Sequence, residues 1–427
     1  MRQEILRAWG FSADPFSHRA AETDGRLEQA FVAPRYFEEI IGDPHHPLPT
    51  FVFGARGEGK STLRTMVASR LRRSERPPLV VEATDFSGWS VEKLDALTLG
   101  DHVWRILEAS VTALVSALES AALPLPSVSA GDRALFEDFV LRWLPPVDHG
   151  GGEARIDALL ERLSPNERRI KRYGGKGYRR IASYLRAKRF EFEQAKLQDD
   201  KVSWLLAALM LIAPSTPNAR SFAGATPQRV LEIFIELVLR LGFSSVYVLV
   251  DNVDEVDIVS NQPDLIAKLV RPLVTSVRFL ESRWLGIKIF LPSEAHDRLR
   301  SSIRSDRFHV YRIEWNEARL KAFLRARVRA FSDERHESLE HVFEDYSSLE
   351  PRLLRASARI PRNMLRALDE IVREHCERDD PPPKIDRFCV DAGLRMFHER
   401  RLLDDDGALY RARLEAWDAE HEKADES

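Results

Sequence analysis

The eight residues at positions 54–61, Gly-Ala-Arg-Gly-Glu-Gly-Lys-Ser, constrain this chain more than any other feature of its sequence. They fit the pattern of a P-loop, in which a glycine and four variable residues precede Gly-Lys-Ser or Gly-Lys-Thr. The glycines let backbone N–H groups turn inward around an anion. In such a loop Lys60 reaches the terminal phosphates as a point charge, and Ser61 offers its hydroxyl to Mg²⁺. The motif therefore predicts binding of ATP, or a similar nucleoside triphosphate, together with Mg²⁺. We expect each residue of the loop and the residue after it to contact the nucleotide: Gly54, Ala55, Arg56, Gly57, Glu58, Gly59, Lys60, Ser61 and Thr62.

The residues on either side of the loop predict the strand and the helix that a phosphate-binding loop requires. Thr50-Phe-Val-Phe53 indicates a short buried strand, and apolar residues recur at helical spacing from about 61 to 73. That helix would point the positive end of its dipole at the anion. Pro77-Pro78 ends the helical unit, and Leu79-Val-Val81 predicts a second strand that completes a β-α-β unit.

A second motif is predicted to supply the carboxylates of the site. Val246-Tyr-Val-Leu-Val250 is apolar or aromatic at every position, which is typical of a central parallel strand buried on both faces. An acidic turn, Asp251-Asn-Val-Asp-Glu255, follows it directly. We assign Asp251 to Mg²⁺. Either Asp254 or Glu255 would deprotonate the attacking water, while Lys60 neutralises charge on the phosphates.

The remaining pattern predicts an α/β fold: a parallel sheet flanked by helices, with a helical insertion and a C-terminal helical lid. Strands are predicted at 287–291 and 310–313, and helices at 226–241, about 262–282 and about 294–302. The predicted domains are 1–95 for the leader and the first half of the P-loop core, 96–225 for the helical insertion, 226–315 for the second half of the core, and 316–427 for the lid and tail.

Composition disfavours several other classes of protein. The 427 residues carry a formal net charge of -3, which gives no overall attraction to nucleic acid. Cys376 and Cys389 are too few for a disulfide framework and indicate a reducing compartment. The N-terminus lacks the apolar core of a signal peptide, and no apolar run reaches the length of a membrane span. We expect a cytoplasmic protein with no membrane partner and no structural transition metal.

The motifs together resemble those of additional-strand P-loop ATPases of the AAA+ and STAND kind. The shared order is a P-loop, a second strand, an acidic Walker B strand, a further strand with a polar end, a short helix, a fifth strand and a helical lid. The resemblance implies that Ser293 is the sensor 1 residue and that Arg362 is the sensor 2 residue, both contacting the nucleotide. It also implies that Arg304 or Arg307 acts as an arginine finger in a neighbouring subunit, so the chain would form a homo-oligomer or bind a partner protein.

One position departs from the family pattern. In many AAA+ ATPases the catalytic base is a glutamate directly after the Mg²⁺ aspartate, and here that position holds Asn252. The resemblance therefore moves the base to Glu255, with Asp254 as the alternative.

The N-terminal leader contains a set of aromatic, proline and small residues: Trp9, Gly10, Phe11, Pro15, Phe16, Ala21, Glu22, Phe31, Val32, Pro34, Tyr36 and Phe37. These residues resemble the leader of a group of bacterial P-loop ATPases, members of which often lie in stress or phage-defence operons. The resemblance implies an ATPase that acts as a conformational switch in bacterial defence or stress signalling. Phe31 and Tyr36 would either form a wall against the nucleotide base or belong to the core.

A basic segment, Arg168–Arg189, suggests an alternative function. Its arginines and lysines are interleaved with tyrosines, a combination that suits nucleic-acid phosphates and stacked bases. The same residues also suit a solvated helix face paired with Glu191 and Glu193. The alternative is a nucleic-acid-dependent ATPase, for which turnover should respond to DNA or RNA and fall with salt. A third class, a small-molecule kinase, is disfavoured by the large lid. A fourth class is a module that binds the nucleotide without hydrolysing it, and such a protein would release no phosphate.

Overall fold

In the computed structural model the described residues are 1–17, 25–86, 89–120, 128–144, 222, 224–256, 259, 262–404 and 406–425. Much of the predicted helical insertion, including the basic segment Arg168–Arg189, lies outside them, as do Ala21 and Glu22 of the leader. Within the described ranges, no helix is both long enough and apolar enough to cross a lipid bilayer.

Five strands form a parallel sheet. They are β1 (Thr50–Gly54), β2 (Leu79–Ala83), β3 (Val246–Val250), β4 (Leu285–Pro292) and β5 (His309–Arg312). Their order across the sheet is β2-β3-β4-β1-β5, and each neighbouring pair is parallel. Every residue of β1, β3 and β4 is buried. The predicted α/β class, with a parallel sheet flanked by helices, is confirmed at this level.

The helices, numbered along the chain, lie before, between and after the strands. They are α1 (Arg2–Ala8), α2 (Leu27–Ala30), α3 (Phe37–Ile41), α4 (Lys60–Arg72), α5 (Val91–Leu94), α6 (Leu99–Glu119), α7 (Ala130–Trp143), α8 (Pro227–Arg240), α9 (Pro263–Val274), α10 (Val277–Leu280), α11 (His296–Leu299), α12 (Glu317–Phe331), α13 (Tyr346–Ser357), α14 (Pro361–Cys376), α15 (Arg387–Leu403) and α16 (Gly407–Asp425).

Helices cover both faces of the sheet. Successive side chains of a strand point to opposite faces. Phe51 and Val248 pack in the apolar cluster that includes α6, α8 and α9. Val52 and Leu249 pack in a separate cluster with α3 and α4. Burial on both faces explains why these strands are almost continuously apolar in sequence.

Another apolar cluster joins the leader to the C-terminal helices. Leu6, Trp9, Phe11 and Phe16 are buried together with residues of α12 to α16. The indole Nε1 of Trp9 donates to the carbonyl oxygen of Pro383 at 2.8 Å, in the loop between α14 and α15. These aromatic residues of the leader therefore pack against the C-terminal helices.

The predicted single helix at about 262–282 is wrong, because two helices, α9 and α10, occupy this stretch. Pro272 lies inside α9 and has no N–H to donate. The hydroxyls of Thr275 and Ser276 donate to the carbonyl oxygens of Arg271 and Pro272, at 2.8 and 2.6 Å. Such side-chain bonds compete with the backbone pattern of a helix and help to end it here.

A lysine is buried inside the sheet. Lys288 of β4 is only 1% exposed. Its Nζ donates to the carbonyl oxygen of Leu48 at 2.9 Å and to the hydroxyl of Thr50 at 3.1 Å. Burial lowers the pKa of Lys288 to about 7. Protonation of this amine in the folded protein is therefore costly.

Replacing Lys288 with methionine should change how stability depends on pH. The pKa of this lysine in the unfolded chain is close to 10.5. As the pH falls from about 10 to about 7, the unfolded wild type takes up a proton that the folded protein does not. The wild type should therefore lose stability relative to Lys288→Met, by up to about 1.4 kcal/mol per pH unit.

Denaturant unfolding across this pH range measures that difference. Lys268→Met is the control, because Lys268 is about half-exposed and pairs with Asp95. A free-energy difference between Lys288→Met and wild type that stays constant with pH would contradict the expectation.

Candidate functional site

The glycine-rich loop joins β1 to α4 through backbone conformations that favour glycine. Gly57 and Gly59 have φ angles of +87° and +98°. A Cβ atom at Gly57 would also lie 2.9 Å from Cβ of Arg362, which is too close. Helix α4 begins at Lys60, directly after the loop. The first N–H groups of a helix have no partner within it and attract anions.

The loop and the acidic turn after β3 meet in one cleft. Strands β1 and β3 are parallel and separated only by β4, so their carboxyl ends lie at the same edge of the sheet. Nζ of Lys60 lies 3.6 Å from Oδ2 of Asp254 and donates to the carbonyl oxygen of Gly54 at 3.1 Å. The cleft has a volume of about 160 Å³, and its lining includes residues 55–63, Asp251, Asn252, Asp254, Glu255 and Arg362. The two predicted motifs are thus adjacent in space.

Asp251 is fully buried at the base of this cleft. Burial raises the pKa of its carboxyl, and the nearby Asn252 N–H, Ser61 hydroxyl, Arg64 and Lys60 oppose that rise. Oδ2 accepts a hydrogen bond from Nε of Arg64 at 3.1 Å. Oδ1 is buried without a hydrogen-bond partner in the described part of the chain. This oxygen and the Ser61 hydroxyl are hard ligands of the kind that Mg²⁺ prefers.

The acidic turn directs two further carboxylates into the cleft. Asn252 has a φ of +61°, a left-handed conformation that asparagine tolerates better than most residues. Asp254 faces Lys60, whereas Glu255 is exposed. Asp254 and Glu255, the two candidates for the catalytic base, therefore have different surroundings.

Arg362 lies against the loop at the start of α14. Its N–H donates to the carbonyl oxygen of Gly57 at 3.4 Å. Burial lowers the pKa of the Arg362 guanidinium, and the positive charges of Arg366 and Arg56 lower it further, while Glu255 raises it. A group of arginines around a glycine-rich loop is electrostatically suited to an anion.

Glu58 connects the loop to the C-terminal helices, a role that sequence reasoning missed. Its Oε2 accepts from the Ala55 N–H at 2.6 Å, and its Oε1 accepts from Nη1 of Arg413 at 2.8 Å. The indole of Trp315 donates to the Glu58 carbonyl oxygen at 3.0 Å. No local pattern in the sequence marks Arg413, because it lies 355 residues from Glu58.

Other predicted site residues lie outside the lining of the cleft. Ser293 begins the 3₁₀ turn that follows β4. Arg304 pairs with Asp306 at 2.8 Å, and Arg307 pairs with Glu281 at 3.2 Å, all on the surface. Their assignments as sensor and arginine finger stay predictions.

The leader contributes one side of the cleft. Phe31, Val32 and Pro34 belong to its lining. Tyr36 instead stacks on Tyr311, with ring centroids 4.6 Å apart, and its hydroxyl donates to a backbone carbonyl of β5. Phe31 and Tyr36 are the two candidates for a wall against the nucleotide base. Among the described residues, the lining of the cleft includes Phe31 but not Tyr36.

No protein-family model matches the chain, and no curated protein matches it.

Within the described ranges, no three His, Cys, Asp or Glu side chains are grouped so that they could hold a metal ion. A Mg²⁺ site built from one carboxylate, one hydroxyl, phosphate oxygens and waters would not form such a group.

Replacing Arg413 with methionine should weaken the contact between the loop and α16. The Glu58 side chain is only 7% exposed, so loss of its ion pair leaves a poorly solvated carboxylate. We expect a loss of about 1–3 kcal/mol in the free energy of unfolding. Hydrogen exchange at the N–H groups of the loop should also become faster.

Arg411→Met is the matched control, because Arg411 lies on the same helix and is exposed. Equal stability and equal exchange rates in the two variants would show that the Arg413 contact contributes little.

Proposed function

We propose that this protein is a Mg²⁺-dependent P-loop ATPase that acts as a conformational switch. The observation that carries the proposal is the meeting of two motifs at one edge of the sheet. Lys60 lies 3.6 Å from Asp254, and the Ser61 hydroxyl lies beside Asp251. The strand order supports the proposal, because β4 alone separates β1 from β3 and the carboxyl ends of all three parallel strands lie at one edge of the sheet.

Binding of the triphosphate would depend on positive groups around the loop. The loop N–H groups and the start of α4 would face the phosphates. The Lys60 ammonium would leave Asp254 and contact the β- and γ-phosphates instead. An anion would also relieve the repulsion between Arg362 and Arg56.

Ser61 and Asp251 would hold Mg²⁺. Asp251 supports this role because its Oδ1 is buried and has no partner in the described part of the chain. When bound, the ion would neutralise charge on the phosphate oxygens.

Hydrolysis would use Glu255 as the base. The oxygen of a water forms a bond to the γ-phosphorus, and the bond from that phosphorus to the bridging oxygen breaks, which leaves ADP and phosphate. The proton of the water passes to Glu255, which is exposed at the cleft, whereas Asp254 is next to Lys60. Lys60 and the loop N–H groups stabilise the charge that develops in the transition state.

The size of the cleft supports a switch. At about 160 Å³ it is smaller than the sites of ~300–1,000 Å³ that usually hold small ligands. Arg362 and Arg413 join α14 and α16 to this loop, so a nucleotide bound at the loop would favour a movement of these helices. Such a movement couples nucleotide binding to a change of shape. A role in bacterial defence or stress signalling rests on the resemblance of the leader.

Two variants test the proposed ATPase activity. Lys60→Ala should lower turnover by at least about 100-fold and weaken ATP binding, because it removes the charge that faces the phosphates. Glu255→Gln should still bind ATP but turn over roughly 100-fold to 10,000-fold more slowly. Phosphate release and ATP binding measure these effects. Wild-type protein that binds no ATP would refute the proposal, and near wild-type turnover in Glu255→Gln would move the base to Asp254.

Arg304 and Arg307 would act only across a subunit boundary, since both are exposed and lie away from the cleft. If the protein assembles, replacing the finger arginine with alanine should lower turnover about 1,000-fold. Mass measurement with and without ATP provides the check. A protein that is monomeric in both conditions would exclude an arginine finger.

A further inference from the structure

Arg64 is a buried arginine held between two carboxylates. It lies one turn after Lys60 on α4 and is only 2% exposed. Its Nε donates to Oδ2 of Asp251 at 3.1 Å, and its Nη1 donates to Glu82 at the end of β2. Charged side chains are seldom fully buried unless they are paired. The contacts with Asp251 and Glu82 therefore help to fix the position of the guanidinium group.

The contact with Asp251 is selective between the two carboxylate oxygens. Oδ2 accepts from Arg64, whereas Oδ1 has no partner among the described residues. The guanidinium is planar and its N–H groups have fixed directions. Together with the Asn252 N–H and the Ser61 hydroxyl, which also act on this carboxylate, it holds Asp251 in one orientation, with Oδ1 buried and without a hydrogen-bond partner among the described residues.

Glu82 is itself held from the other side. Nη2 of Arg72, two turns further along α4, donates to Oε1 of Glu82 at 2.7 Å. Strands β2 and β3 also pair at this point, because the Asp251 N–H donates to the Ala83 carbonyl oxygen at 3.3 Å. Arg72 and Arg64 thus connect the surface of α4 to the carboxylate at the base of the cleft.

We infer that Arg64 is a positioning residue for Mg²⁺: it orients Asp251 so that Oδ1 faces the metal. This inference rests on the proposed function, because the metal accompanies the nucleotide. Residues that orient a metal ligand typically change metal affinity by about 10-fold to 100-fold when they are replaced. A residue that only filled space would leave the Mg²⁺ requirement unchanged.

The experiment measures binding of N-methylanthraniloyl-ATP by fluorescence, first in EDTA and then over a Mg²⁺ titration. Arg64→Met removes the charge and the contacts with Asp251 and Glu82, and Arg64→Lys keeps the charge without the planar guanidinium. We expect both variants to bind the analogue in EDTA within about twofold of wild type. The half-maximal Mg²⁺ concentration should rise at least about 10-fold in Arg64→Met and less in Arg64→Lys.

Arg72→Met is the matched control. Arg72 lies on the same helix and bonds the same Glu82, and no contact joins it to Asp251 among the bonds of the described residues. Its half-maximal Mg²⁺ concentration should stay within about twofold of wild type. If Arg64→Met does not fold, Arg64→Lys supplies the comparison.

Two results would overturn the inference in different ways. If wild type responds to Mg²⁺ and the Arg64 variants respond with the same midpoint, the inference fails and the proposed function stands. If wild type does not bind the analogue at any Mg²⁺ concentration, the proposed function fails and the inference fails with it.

Discussion

The candidate site depends on the register between β4 and its two neighbours. Gly54 at the end of β1 pairs with Pro292, and Val250 at the end of β3 pairs with Ile289. A slip of one residue would move a strand by about 3.3 Å and turn its side chains to the opposite face. A shift of that size is as large as the 3.6 Å contact between Lys60 and Asp254 and would break it. The pairing of β4 with β1 and β3 therefore determines whether the glycine-rich loop and the acidic turn meet.

Local patterns were sufficient to predict the sheet and the loop. The strands are nearly continuous in apolar residues because both faces are covered, and the glycines of the loop adopt backbone angles that other residues rarely adopt. The sequence could not predict contacts between distant segments. Arg64 is 187 residues from Asp251, and Arg413 is 355 residues from Glu58. The packing of α4 and α16 brings these pairs together, and no short sequence pattern predicts that packing.

The errors and omissions have a similar origin. The break between α9 and α10 depends on hydroxyl groups that bond back to the preceding turn, and apolar periodicity does not record them. Lys288 occupies a position where the pattern of β4 favours an apolar residue, and its partners come from the loop before β1 and from β1 itself. In both cases hydrogen bonds of polar side chains determine a local feature, the end of α9 or the burial of Lys288. The pattern of apolar residues predicts the overall fold but not these features.

The shared cluster of the leader and the C-terminal helices has a consequence for biosynthesis. Leu6, Trp9, Phe11 and Phe16 are synthesised well before the helices that bury them, the first of which begins at Glu317. At about 5–20 residues per second, the intervening chain takes roughly 15–60 s to be made. During that time three aromatic side chains near the N-terminus lack their final partners. The leader therefore cannot reach its native packing until the helices that begin at Glu317 have been made.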